Sequence, residues 1–276
     1  MNAMQVVRAA RGWAWIRAGF ALFRAQPLVW VALVFGYWSM MNLIGLVPYV
    51  GFAAGLVLVP LFAVSFMNIA RAAERGQRPE FQMLFSGFRE RPKPLVVLGI
   101  VYLGLHVVLL LVVLLTSPLG DGAADMRRIG EGEALNRAVD ESALLRTALL
   151  ATAFYIPIVA AYWFAPVLVA WDRMTPGKAL FFSFFSVTAN WRAFLVYGAA
   201  VACLAAALLG VVVALVKLVA GGGSGGGPGL IRIAAPVYVA TLMPLLFASF
   251  YASYREVFPP PEDSPKPLLE QGHPPS

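Results

Sequence analysis

Apolar residues run along the chain in six long stretches, at about 28–47, 52–72, 94–116, 147–171, 193–218 and 231–254. A helix of about 20 apolar residues crosses a hydrocarbon core of about 30 Å, so each stretch predicts a membrane-spanning helix. Three shorter segments are patterned differently. Residues 4–26 carry Trp13, Ile16, Phe20 and Phe23 at helical spacing, with Arg17 and Arg24 flanking that face. On a helical wheel Phe81, Leu84, Phe85 and Phe88 share an arc of about 100°. Arg78, Arg89 and Arg91 edge it, while Gln82, Ser86 and Glu90 point away. Thr175-Pro176 forms an N-cap and N1 pair opening a phenylalanine-rich helix, Lys178 to Thr188. All three read as amphipathic helices lying at a membrane surface.

The predicted fold is therefore all-α: a polytopic membrane protein of six transmembrane helices in three hairpins, each hairpin preceded by an interfacial amphipathic helix. Residues 1–258 form one transmembrane domain. A polar, mostly acidic connection covers 117–146, GGGSGGGPG (221–229) is a connector, and the proline-rich tail 259–276 is too short to fold alone.

Composition agrees. Sixty per cent of the 276 residues are hydrophobic and 13% are charged, where soluble domains carry about a quarter. The net charge of +7 would point to nucleic acid in a soluble chain. Here the basic residues bracket apolar runs, which implies anionic headgroups as partners and no nucleic acid. Fifteen Lys and Arg fall on the side of the chain termini and six on the other, so the positive-inside rule puts both termini in the cytoplasm. Arginine excess and abundant alanine fit a GC-rich bacterial genome and an inner-membrane home. The single cysteine, Cys203, reads as a small buried hydrophobe.

The surface-to-span junctions repeat: Phe20-x-x-Phe23-x-x-x-Pro27, Phe85-x-x-Phe88-x-x-x-Pro92 and Phe184-x-x-Val187-x-x-x-Trp191. Two even-numbered spans also end alike, with Pro60-Leu61, Ser65-Phe66 and Arg71 matching Pro244-Leu245, Ser249-Phe250 and Arg255. The exit at Arg173 matches poorly. Together with the opening Gly12-Trp13, the Leu84-Phe85-Ser86-Gly87-Phe88-Arg89 junction and the closing Ala252-Ser253-Tyr254-Arg255, the pattern resembles an uncharacterised family of proteobacterial six-helix inner-membrane proteins. It is also similar, more distantly, to the membrane domain found beside some glycerophosphodiester phosphodiesterases. The resemblance covers most of the chain outside the acidic connection and the tail. It implies fold and location, and it brings no catalytic residues with it.

Candidate chemistry is sparse. The spans lack the intramembrane carboxylates of proton- or sodium-coupled transporters. Asn42, Asn68 and His106 are the polar groups that could line a path. Their plainer reading is hydrogen bonding between helices, with His106 a neutral imidazole bonded to a neighbouring helix. Gly51-x-x-x-Gly55 reads as close helix packing within the chain. Gly221 to Gly226 fits a dinucleotide fingerprint in letters alone, since it follows a span and no soluble strand. No cofactor or metal site and no enzymatic activity are expected. Arg17, Arg24, Arg78, Arg89, Arg91 and Lys93 are the expected contacts for anionic lipid. The leading expectation is a non-enzymatic scaffold or lipid-interacting protein, and the alternative is a small-molecule or lipid transporter with a cavity between the repeats. The charge split predicts that reporter fusions at Gly76 and Ser276 read as cytoplasmic and those at Gly122 and Gly225 as periplasmic. Alkaline phosphatase activity at Gly76 would overturn that topology.

Overall fold

The computed structural model describes residues 4–48, 50–116, 141–219 and 227–259. The helices are α1 (Arg11–Ala25), α2 (Pro27–Gly45), α3 (Val50–Glu74), α4 (Gly87–Glu90), α5 (Pro92–Thr116), α6 (Glu141–Trp163), α7 (Ala165–Ala170), α8 (Pro176–Ala189), α9 (Trp191–Val219) and α10 (Gly227–Val257). Among the described residues there is no strand. Six helical segments are long and apolar enough to cross a membrane: α2, α3, α5, α6 continuing into α7, α9, and α10 from Ala235. The expected helical spans are all present. Helix α10 begins at Gly227, so its first turn takes up three residues expected in the glycine connector. The rest of that connector, the acidic stretch 117–140 and the tail from residue 260 lie outside the described residues.

Helix ends follow local chemistry. Gly76, at φ 73°, closes α3 in a Schellman turn. Gln77 N donates to Ala72 O at 3.0 Å and Gly76 N to Ala73 O at 3.0 Å. Before Pro27 and Pro92, the residues Gln26 (φ −146°, ψ 60°) and Arg91 (φ −149°, ψ 68°) leave the helical region in nearly the same way. The proline ring excludes the residue before it from helical geometry. Asn190 precedes Trp191 and stays nearer the helix, at φ −102°, ψ 20°. Pro176 does open α8, but Thr175 makes no side-chain cap bond.

Two expectations about the shorter segments need correction. Residues 81–90 are not one regular helix: Phe81–Phe85 is a 3₁₀ turn, followed by the single turn of α4. Leu84 and Gly87 are buried, Phe81 and Phe85 are exposed, and Ser86 and Glu90 turn toward α3 instead of away from it. In α1 the expected apolar face is split. Ile16 is buried, but Trp13 and Phe20 are exposed, and the inward face is Gly12, Trp15, Gly19 and Leu22. Tertiary packing overrides periodicity because small residues let backbones approach. A side chain on Gly12 would strike Ala193 O, and one on Gly19 would strike the Ser249 backbone. Gly87 sits equally close to Leu61 O of α3.

Packing is cyclic in order. The 81–90 segment packs on α3, α8 packs on α6 and α7, and α1 packs on α10 and the start of α9. Each short segment leans on the last span before it, and the first leans on the last. Gly51 meets Ile44 O at the α2–α3 turn, whereas Gly55 faces open space, so half of that glycine pair makes the expected contact. Cys203 is exposed on α9, against the expectation of burial.

The fourth span is broken at Phe164. Ser183 Oγ of α8 accepts from Phe164 N at 2.8 Å and donates to Ala160 O at 2.9 Å, standing between the two groups that a continuous helix would join directly. Pro166, with no N–H of its own, follows in the first turn of α7. Ser183 is fully buried, so Ser183→Ala strands a buried N–H and a buried carbonyl. The expected cost is about 1–3 kcal/mol in a detergent unfolding titration. A midpoint equal to that of the wild type would contradict the bridging role.

Candidate functional site

Burial is concentrated toward one end of the bundle, where α3, α7 and α10 terminate. There the large buried side chains include Phe62, Phe66, Phe164 and Leu168, and the Phe66 and Phe247 rings stack at 3.8 Å. The far ends of the spans are open to the surroundings: Leu115 is 84% exposed, Leu218 77% and Leu46 75%. Apolar surface of that kind is what a hydrocarbon layer covers.

Polar side chains gather at the terminating ends and bond one another. Trp171 Nε1 donates to Asn68 Oδ1 at 3.1 Å. Asn68 Nδ2 in turn donates to Ser86 Oγ at 3.1 Å and to Glu90 Oε1 at 2.7 Å. Tyr251 donates to Glu74 Oε2 at 2.6 Å, Arg255 pairs with Glu74 Oε1, and Tyr254 donates to Asp172 Oδ2 at 3.1 Å. The Trp171 ring lies 5.1 Å from that of Tyr254 and carries the Arg71 guanidinium on its face, 3.4 Å from the ring centre. A planar cation on an indole is a favourable electrostatic contact.

A second polar group ties down the chain ends. Asn190 Nδ2 donates to Gln5 O at 3.1 Å, and its Oδ1 accepts from Val7 N at 2.7 Å. Gln5 N reaches Val257 O at 2.9 Å. Trp15 Nε1 donates to Glu256 Oε2 at 2.7 Å, and Arg11 pairs with the other oxygen.

The expected path-lining residues do not meet. Asn42 is exposed and bonds Trp38 O within its own helix at 2.7 Å. Asn68 belongs to the joint just described. His106 Nδ1 lies 2.9 Å from Tyr102 O, one turn back in the same helix, with the Tyr102 ring at 4.1 Å and the Tyr155 ring at 6.2 Å. The expected bond to a neighbouring helix is therefore absent among the described residues. Of the expected lipid contacts, Arg17, Arg24, Arg78, Arg89 and Lys93 are exposed near that same end of the bundle. Arg91 is half-buried and donates to Val169 O at 3.1 Å and Met174 O at 3.4 Å, at the end of α7. Among the described residues no cluster of His, Cys, Asp and Glu could hold a metal ion.

Arg71, Glu74, Trp171, Tyr251, Tyr254, Arg255 and Asn190 were not expected as a group. The matching Pro60–Arg71 and Pro244–Arg255 patterns were the available signal, since they place the two arginines at equivalent helix ends. Because the His106 bond stays within one helix, His106→Leu strands no partner elsewhere. Its unfolding midpoint should match that of His106→Gln to within about 0.5 kcal/mol. A clearly larger loss for Leu would restore a bond to a neighbouring helix.

No family model matches the chain, and no solved structure matches it. A protein of Burkholderia thailandensis described as a "probable inner membrane protein" is 37% identical over 256 residues, which cover 91% of this chain and 92% of the relative. Identity at that level across nearly both full lengths, with six apolar helices long enough to span, makes this a multi-pass inner-membrane protein and a member of the family of that Burkholderia protein.

Proposed function

We propose that the protein is a non-enzymatic scaffold or lipid-interacting protein, with the face that carries both chain ends lying against anionic headgroups of the cytoplasmic leaflet. The observation that carries this reading is the separation of polar from apolar groups. Around Phe62, Phe66, Phe164, Phe247 and Trp163 the interior is packed with aromatic rings, while the side-chain bonds that join separate helices through charged groups lie at one end. Arg17, Arg24, Arg78, Arg89 and Lys93 extend from that end exposed. Each basic group near an anionic surface contributes about 1 kcal/mol of attraction. The segments preceding α2, α5 and α9 then serve as interfacial anchors, with Trp13, Phe20, Phe81 and Phe85 toward acyl chains.

A transporter of a small molecule or lipid is the competing function, and it would need a polar route across the layer. Asn42, Asn68 and His106 share no hydrogen-bond partner among the described residues, which supports the first reading.

Native mass spectrometry of the purified protein separates the two. Retained acidic phospholipid is the expected result. Changing Arg17, Arg24, Arg78 and Arg89 together to Gln should cut retention by at least about half, as four such attractions are lost. A retained polar small molecule with indifference to these four changes would favour the transporter.

A further inference from the structure

Arg71 differs from the other arginines at the joint. Arg255 is matched by Glu74, Arg11 by Glu256, and Arg91 by two carbonyls. Arg71 has an indole. Its guanidinium carbon lies over the Trp171 ring, its side chain is half-buried, and its Nη2 is enclosed with no hydrogen-bond partner among the described residues. Stacking uses the face of the plane and leaves the N–H edge to be satisfied in another way.

The ionisable groups around it are Tyr251, Glu90, Arg75 and Tyr254. Three of these are already engaged: Tyr251 with Glu74, Glu90 with Asn68, and Tyr254 with Asp172. Arg75, just past the end of α3, adds a second positive charge one turn on. Arg71 and Arg255 close the same Pro-Leu, Ser-Phe, Arg pattern, yet Arg255 meets a carboxylate on the adjoining helix and Arg71 an aromatic ring. A cation drawn partly out of water needs a counter-charge with acceptor atoms. Glu90 is the nearby carboxylate, yet neither it nor any other described group brings an acceptor within hydrogen-bond distance of Nη2.

We propose that Arg71, held by Trp171 and backed by Arg75, binds the phosphodiester of an acidic phospholipid headgroup. The planar fork of a guanidinium fits two phosphate oxygens at once, and an indole beside it suits the membrane–water boundary. Trp171 is a positioning residue, fixed by its own bond to Asn68. The source of the phosphate rests on the lipid-interacting reading above. The site is separate from the exposed arginines named there.

The test is a thermal-shift and native mass-spectrometry titration of the full chain in detergent with dioctanoyl phosphatidylglycerol. Wild type should rise in melting temperature and retain one tightly bound lipid. Arg71→Gln should weaken that binding about tenfold, the worth of one lost charge-assisted contact. Arg71→Lys, which keeps the charge and loses the fork, should fall between them. Without lipid, Arg71→Gln should be at least as stable as wild type, because a buried N–H group with no acceptor has gone. Should Arg71→Gln not purify folded, Arg71→Lys decides, and unchanged affinity in it overturns the site.

Equal binding by wild type and Arg71→Gln, with loss in the four-arginine surface variant, refutes this inference and leaves the functional reading standing. An Arg71→Gln protein that is less stable without lipid yet responds normally makes Arg71 structural, which also refutes it. An equal rise with inorganic phosphate assigns the site to a soluble anion and overturns the lipid assignment. Absence of lipid binding in every protein removes the functional reading and this inference together.

Discussion

Glu74 is the residue at which the bundle closes on itself. It ends α3, and its two oxygens receive Tyr251 and Arg255 from α10, across more than 170 positions of sequence. In an apolar layer a polar group has few partners except other protein groups, so such a carboxylate fixes which helices stand side by side. Its contribution to net stability is a separate matter. Drawing an ion pair out of water costs nearly what the attraction returns, but removing one partner alone costs about 3–5 kcal/mol. The pair is therefore better understood as choosing an arrangement than as supplying the energy of folding. Trp15 and Arg11 on Glu256, and Asn190 on the backbone of residues 5 and 7, do the same for the chain ends.

The helices behave differently along their lengths as a result. Near the joint, glycine at 12, 19 and 87 brings backbones together, and aromatic rings fill the remaining space. Toward the far ends leucine and valine face outward. A firm base with an adaptable outer half is suited to a protein whose surroundings are lipid. Prolines at 60, 157 and 244 lie within the even-numbered spans, a placement that membrane helices tolerate more readily than soluble ones.

Hydropathy alone made the six helices and most of their ends legible, because burial of about 20 consecutive apolar residues depends on composition and not on partners. The partners themselves were hidden. Ser183 breaks the fourth span from a different helix, and periodicity within residues 147–171 carries no sign of it. Residues 81–90 have a helical spacing of phenylalanines, yet the close seat of Gly87 on α3 accompanies a tighter 3₁₀ turn in the first half. Asn68 stands out in the sequence as a polar residue in a span, but its role depends on Trp171, which lies 103 positions away. His106 looked like a link between helices because it was the sole ionisable group near mid-span, and it instead bonds its own helix. The clearest clue to the joint was the repeated ending at Arg71 and Arg255, which located two of its members and said nothing of the residues that face them.

The ends of α3 and α10 are joined through Glu74. A double-mutant cycle in detergent, using Glu74→Gln, Arg255→Gln and the pair together, measures that coupling in unfolding free energy. The expected interaction is about 1 kcal/mol or more, with the double variant losing less than the two single losses combined. Additive losses, with no interaction between the two sites, would contradict it.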